Sequence, residues 1–265
     1  ISIVADVGVV LGENRTLLKY GLIVLNKTRR LGLQKLYQDM GTSPGNITAT
    51  TVGWQITPRI NAAGRMDHAN AAFALLIEQN PERAEEMALN LNQANVARQK
   101  VTETIVKEAS AMIEKEPDQP IYVLQKNTWN PGVIGLAASR LLERYGRPVI
   151  LASENSHGQW VASARSLEQF NIVEAFEACR DFLTRFGGHP RAAGFSIAPE
   201  KWEPFKEKMK ALAQIALTKE AVEPRLAIEV ELNLDEIKWP LWRDLERLAP
   251  YGAGNPEPRF ILNNF

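Results

Sequence analysis

Phe186-Gly187-Gly188-His189-Pro190-Arg191-Ala192-Ala193-Gly194-Phe195 is the stretch around which the rest of the chain is organised. Two adjacent glycines admit positive φ and let the backbone turn its N–H groups toward an anion, while His189 and Arg191 set donors beside that concavity. Ala192, Ala193 and Gly194 are small enough for a ligand or another backbone to come close, and residues 192–197 read as the strand that carries the turn. Such a turn suits phosphate. The plainer alternative is a tight loop whose histidine caps a carbonyl, since double glycines are common in loops.

Working outward, residues 118–218 alternate between strand and helix patterns. Strands are expected at 121–125, 148–152 and 159–163, helices at 131–145, 172–186 and 200–217. This is an α/β unit of about a hundred residues, a usual domain size. Upstream, Ser2 to Val7 is β-branched enough to be a buried strand that delivers Asp6 at its end. Helices follow at about 15–27, 31–40 and 47–55, and Asp67 is placed to cap another that runs to Ile77. Pro81 opens the longest unbroken helical pattern, to about Glu116, which at 1.5 Å per residue extends roughly 50 Å. Its interspersed Asn90, Asn92, Gln93 and Asn95 suit a bridge between two domains better than a core helix. Downstream, 226–232 reads as a strand with Glu229 and Glu231 on one face, 239–248 as a short helix and 250–258 as a rigid turn-rich connector.

Bulk composition narrows the function. Lys and Arg number 31 and Asp and Glu also 31, so the chain lacks the basic excess of a broad duplex-binding surface and any nucleic-acid contact must be local. Cys179 is the only cysteine, which excludes an internal disulfide and a cysteine zinc cluster and fits a reducing cytoplasm. No apolar run is long enough to span a membrane, and Ile1-Ser2-Ile3-Val4-Ala5 is too short and uncharged for a signal peptide. The start reads as a strand cut in the middle, as in a piece of a longer protein.

Four further stretches carry chemistry. Trp129-Asn130-Pro131-Gly132-Val133-Ile134-Gly135 leaves backbone N–H groups at a positively polarised helix start, or else is an ordinary start capped by Asn130. Val161-Ala162-Ser163-Ala164-Arg165-Ser166 offers a guanidinium flanked by two hydroxyls at a strand end, a set that reads phosphate bidentately. Asp6, after an apolar strand, suits a divalent metal or a helix cap, and one carboxylate does not make a metal site. Arg59, Asn61 and Arg65 lie among small residues where helices meet, placed to hold a backbone phosphate or to pin the junction. His68 and His157 read as surface residues.

Taken in order, Val4-Ala5-Asp6-Val7, Gly12-Glu13-Asn14-Arg15, Pro58-Arg59-Ile60-Asn61-Ala62-Ala63-Gly64-Arg65, the Trp129–Gly135 stretch, Ser163-Ala164-Arg165-Ser166 and Phe186-Gly187-Gly188-His189 resemble the single-strand-specific DNA exonucleases of the DHH phosphoesterase family. Tyr251-Gly252-Ala253-Gly254-Asn255-Pro256-Glu257-Pro258 is similar to the approach to that family's oligonucleotide-binding barrel. The resemblance implies a helical tail of the DHH catalytic domain over 1–80, a connecting helix over 81–117, an α/β DHH-associated domain over 118–218, and a connector with the start of the barrel over 219–265. It implies 5′-to-3′ hydrolysis of single-stranded DNA with two Mn2+ or Mg2+ ions. It further implies a monomeric bacterial cytoplasmic protein that meets single-strand-binding protein and a RecQ-type helicase in repair and recombination. Asp6 matches a metal-binding aspartate, and Arg59 and Arg65 match a segment near the scissile bond. Arg165 and His189 match the associated domain's grip on phosphate and nucleotide, to which Asn61, Asn130, Gly132, Ser163, Ser166, Gly187, Gly188 and Arg191 are added as nucleic-acid contacts.

The sequence departs from the family in lacking the upstream aspartate motif and the Asp-His-His triplet. Two-metal catalysis needs several ligands to set the ions about 3.5–4 Å apart, so Asp6 alone is expected to support no hydrolysis. Single-strand selectivity is expected from a narrow channel between the two domains, where backbone N–H groups and arginines hold phosphates without reading bases. Other readings are a DHH-family phosphodiesterase acting on short oligonucleotides or cyclic dinucleotides, and a non-catalytic single-strand-binding module.

Overall fold

Leu33, Leu36 and Tyr37 recur at three- and four-residue spacing, and they form the buried stripe of a helix. The computed structural model describes residues 1–66, 68–217 and 226–262. Ile1–Val96 with Leu226–Phe265 form one unit and Ala97–Arg225 the other.

In the first unit, α1 (Ser2–Ala5), α2 (Gly12–Asn26), α3 (Leu31–Asp39) and α4 (Ala49–Thr51) lead through a π-helical turn at Val52–Ile56 into α5 (Thr57–Met66) and α6 (Asn70–Ile77). The long α7 (Pro81–Ile113) begins here and runs on into the second unit. Leu36, Tyr37, Val52, Ile56 and Leu75 fill the core. Gly32 is where α3 meets α6, because a Cβ there would lie 1.9 Å from the Leu75 carbonyl oxygen.

The second unit is built on a five-stranded mixed sheet. Strand β1 (Tyr122–Gln125) is joined through α8 (Ile134–Tyr145) to a parallel neighbour, β2 (Val149–Glu154). Strand β3 (Trp160–Arg165) pairs antiparallel with β2, α9 (Ile172–Ala178) follows, and the hairpin β4 (Leu183–His189) and β5 (Ala192–Ile197) completes the order β1-β2-β3-β5-β4. Val149 to Ser153 are all buried, as an unbroken apolar run demands of a strand covered on both faces. β3 alternates instead: Ala162 and Ala164 are buried, whereas Val161, Ser163 and Arg165 are half-exposed. The buried parity packs against α9 and α10 (Trp202–Ala216), whose Trp202, Phe205, Met209 and Ala213 follow helical spacing. Phe195 lies 5.0 Å from Phe176 and 4.7 Å from Phe205 between ring centroids, so aromatic side chains make up much of this layer.

The first unit is completed by β6 (Val230–Leu232), which pairs parallel with β7 (Phe260–Leu262), and by α11 (Trp239–Glu246) between them. Residues 9–15 hold this part in place. The Arg15 guanidinium donates at 3.0 Å to each of the carbonyls of Arg247, Leu248 and Ala249, capping the end of α11, and the Val10 N–H donates to the Ala253 carbonyl at 2.6 Å.

Several expectations need correction. Residues 2–7 are not a strand: α1 is a single helical turn with Asp6 at its C-cap, closed by Asp6 N–H to the Ser2 carbonyl. A strand needs a neighbour, and β6–β7 is the only sheet among the described residues of this unit. Arg59 to Arg65 lie inside one helix, α5, and not at a junction. The helix ending at Ile77 starts at Asn70, and the Asp67 cap lies outside the described residues. The helix expected over 131–145 starts at Ile134. The strand expected over 226–232 is confined to Val230–Leu232. The helix expected over 172–186 ends at Ala178, passes through a 3-10 turn at Arg180–Phe182 and becomes β4. Phe176, Cys179, Phe182, Leu183 and Phe186 have helical spacing, but pairing with the free edge of β5 overrides it. Consequently Gly187 and Gly188 lie in a strand, and the hairpin turn falls at Pro190 and Arg191.

Two substitutions test these packing assignments. Gly32→Ala should destabilise the first unit by about 3 kcal/mol, because a backbone carbonyl has to move. Phe205→Ala should destabilise the second by about 3–5 kcal/mol. Hydrogen exchange in urea reads each loss in its own unit; protection left intact in either would contradict the packing described.

Candidate nucleic-acid interface

The pleat sends alternate residues of β3, β4 and β5 to opposite faces. One face carries Ala162, Ala164, Ala193, Phe195 and Ile197 into the aromatic core. The other places three cross-strand rows side by side: Arg185, Ser196 and Val161; Gly187, Gly194 and Ser163; His189, Ala192 and Arg165. No side chain rises from the two glycines of the middle row. A groove of about 280 Å³ results, lined by Val161, Arg185, Gly187, Gly194 and Ser196 among others.

Arg165 stands one row beyond the glycines on this face. Its Nη1 donates to the Ala164 carbonyl at 2.8 Å and to Ser163 Oγ at 3.3 Å. The start of α8 comes up against it at Gly135, where a Cβ would lie 2.8 Å from Ser163 Oγ and 2.9 Å from Arg165 Nη2. Glycine there is what lets a helix N-terminus, a serine hydroxyl and a guanidinium converge. All three favour an anion. His189 and Arg191 are exposed and form no side-chain hydrogen bond or ion pair among the described residues. His189 shares the Arg165 row, and Arg191 stands in the turn. Gly188 serves the fold: its φ is 148°, and a Cβ would lie 2.5 Å from the Ala192 carbonyl oxygen.

Three of the residues singled out from sequence are engaged in shaping loops. Asn130 Oδ1 accepts the Gly132 N–H at 2.8 Å, and its carbonyl accepts the N–H groups of Val133 and Ile134, so it caps the approach to α8. Trp129 pins that loop by donating from Nε1 to Glu108 at 2.7 Å. With Lys126 on its other oxygen at 2.9 Å, these donors hold the Glu108 carboxyl below its ordinary pKa. Ser166 is buried, its hydroxyl donating to the Phe170 carbonyl at 2.6 Å and its N–H to that of Arg191 at 2.9 Å. It therefore holds the turn from beneath.

In the first unit, Arg59 is half-buried and donates to Asn92 Oδ1 at 3.0 Å and to the Gln55 carbonyl at 2.9 Å. Burial lowers its pKa and Asp39 opposes that; burial also lowers Arg65. A guanidinium stays charged through such shifts. Six residues of α-helix separate Arg59 from Arg65, so they point roughly 120° apart around α5, while Asn61 is exposed. Asp6 is exposed, and among the described residues no group of three or more His, Cys, Asp or Glu side chains is placed to hold a metal ion. The described residues therefore do not by themselves fit a two-metal site. Sequence reasoning missed Arg185 and Ser196, and it gave Gly135 no role of its own. Arg185 is two residues before Gly187 and four before His189, a period-two signal hidden by reading the segment as a helix.

Residues 91–214 match the DHHA1 domain and residues 228–265 the RecJ OB domain. The single-stranded-DNA-specific exonuclease RecJ of Bacillus subtilis is 36% identical over 100% of this chain and 34% of its own length. RecJ of Thermus thermophilus is 33% identical over 99% of this chain and 37% of its own. The solved structure of the Thermus thermophilus RecJ in complex with Mn2+ matches with a TM-score of 0.88, at 33% identity over 98% of this chain and 38% of that one. Its complex with Mg2+ matches at 0.86, over 97% and 39%. The chain thus spans between a third and two fifths of these relatives' length. In keeping with the resemblance carried by its motifs, the chain matches the DHHA1 domain and then the RecJ OB domain in that order, and it is similar to RecJ along its whole length.

Proposed function

We propose that this chain grips single-stranded DNA by its backbone in the groove of the second unit, as the strand-holding portion of a metal-dependent 5′-to-3′ exonuclease. The observation that carries the reading is the meeting of Arg165, Ser163 and the α8 N-terminus beside a glycine floor, with His189 in the same row. Donors of this kind hold phosphates and do not distinguish bases. With equal numbers of acidic and basic residues in the chain, a local groove suits one strand better than a broad duplex surface.

In this reading residues 1–80 are the tail of a DHH catalytic domain, 81–117 a connecting helix, 118–218 the associated domain, and 219–265 the connector and the first part of the barrel. Asp6 serves as one ligand of a Mn2+ or Mg2+ centre, for which the described residues place no group of three or more His, Cys, Asp or Glu side chains. Arg59, Asn61 and Arg65 contact the strand near the scissile bond, and Asn130, Gly132, Ser166, Gly187, Gly188 and Arg191 shape or contact its path. Among the described residues no helix is long and apolar enough to cross a membrane. The reading brings with it a monomer in the bacterial cytoplasm, working with single-strand-binding protein and a RecQ-type helicase. A second reading, a non-catalytic single-strand-binding module, is favoured by the absence of a metal-holding cluster among the described residues.

Fluorescence anisotropy with labelled single-stranded DNA tests the groove. Arg165→Ala should weaken binding about ten-fold or more, the loss of a charged hydrogen bond. Binding should also fall with added salt. Unchanged affinity would contradict the assignment. Incubated with Mn2+ and a 5′-labelled single strand, the chain by itself should release no product on a sequencing gel; cleavage would show that its own residues suffice.

A further inference from the structure

The face that carries Arg165 carries a second cation, Arg185, on the other side of the glycine row. We propose that Arg185, positioned by Ser196, is a separate phosphate contact, so that the groove holds the strand at two points with the glycine floor between them. This deepens the groove reading above and rests on it.

The β4 register makes the case. Leu183 pairs with Ile197, yet Arg185, only two residues on, pairs with Ser196, so an irregularity falls between them. In a regular strand Leu183 and Arg185 would share a face. The extra residue lets Leu183 pack on the aromatic core while Arg185 turns to the groove with Gly187 and His189. Bulges of this kind re-aim side chains at functional sites. Ser196 is buried, and its hydroxyl accepts the Arg185 Nε–H at 3.1 Å, which fixes the plane of the guanidinium. The two terminal nitrogens of Arg185 form no hydrogen bond or ion pair among the described residues, leaving a flat pair of donors that matches two phosphate oxygens.

Spacing separates the two ends. The Arg185 row and the Arg165 row lie four residues apart along the strands, roughly 13 Å between backbones, and each guanidinium is tethered beside its own row, Arg185 by Ser196 and Arg165 by the Ala164 carbonyl. Between them, Gly187 has no structural reason to be glycine: a Cβ there would meet nothing within 4 Å, and its φ is not in the left-handed region. Its bareness is left for whatever passes over it.

Anisotropy with the 265-residue chain tests the proposal, using labelled (dT)12 and competition by thymidine monophosphate. Arg185→Gln should weaken (dT)12 about ten-fold and lower the slope of log affinity against log salt by about 0.7, the value for one lost contact on a single strand. Monophosphate binding should be unchanged. Arg185→Lys keeps the charge without the planar fork, so it should keep the slope and lose part of the affinity. Gly187→Val should keep the melting temperature and lose (dT)12 binding. Equal losses on (dT)12 and monophosphate, an unchanged slope in Arg185→Gln, or a lower melting temperature in Gly187→Val would overturn the two-point grip. If Arg165→Ala still weakens (dT)12 in that case, the groove reading stands; if neither arginine matters, the groove itself is not the site.

Discussion

Strand β5 sits between β3 and β4, and its two-residue alternation is the constraint on which the site depends. Ala193, Phe195 and Ile197 enter the aromatic layer with Phe176, Trp202 and Phe205, while Ala192, Gly194 and Ser196 face the groove. A slip of one residue would bring Phe195 onto the groove floor and glycine into the core, so burial of the aromatic cluster selects the register that bares the other face. The same packing that stabilises the unit therefore also positions Arg165, His189 and Arg185. Gly188 and Gly187 divide the labour: a side chain at the first would collide with β5, whereas one at the second would project into open space.

A different device acts in the first unit. Arg15 gathers three carbonyls at the end of α11, and Asn255 donates to one of the same three, that of Leu248, and to that of Pro250. Gly252 and Gly254 then lie against Val10 and Val9, at positions where a Cβ would come within 2.7 and 2.8 Å of their methyl carbons. A guanidinium serving main-chain oxygens anchors a turn-rich segment without a large apolar core. The charged motif of residues 12–15 thus includes a structural arginine.

Much of this was legible in the chain itself. Long periodic segments such as α7 and α10, and the apolar run of β2, declared themselves because one interaction, burial, fixes their pattern. The elements at 2–7 and 183–189 did not. The first has strand composition without a neighbouring edge, and the second has helical spacing that a neighbouring edge overrides. Pairing decides both, by its absence in the first and by β5 in the second, and the spacing within each stretch does not supply it. The site shows the same division. Arg165, Ser163 and His189 stood out by type and company, whereas Arg185 and Gly135 acquire meaning only once the strands are aligned and α8 is laid on the sheet. Ser166 illustrates the converse, a polar residue in a suggestive string whose hydroxyl is spent on holding a turn.

Backbone amide shifts in a titration of the chain with a single-stranded oligonucleotide test the central claim most directly. The largest changes are expected at Ser163, Arg165, Gly187, His189 and Gly194, with the reverse face of the same strands, at Ala164 and Phe195, changing less. Shifts confined to the first unit, or spread evenly over both, would contradict it.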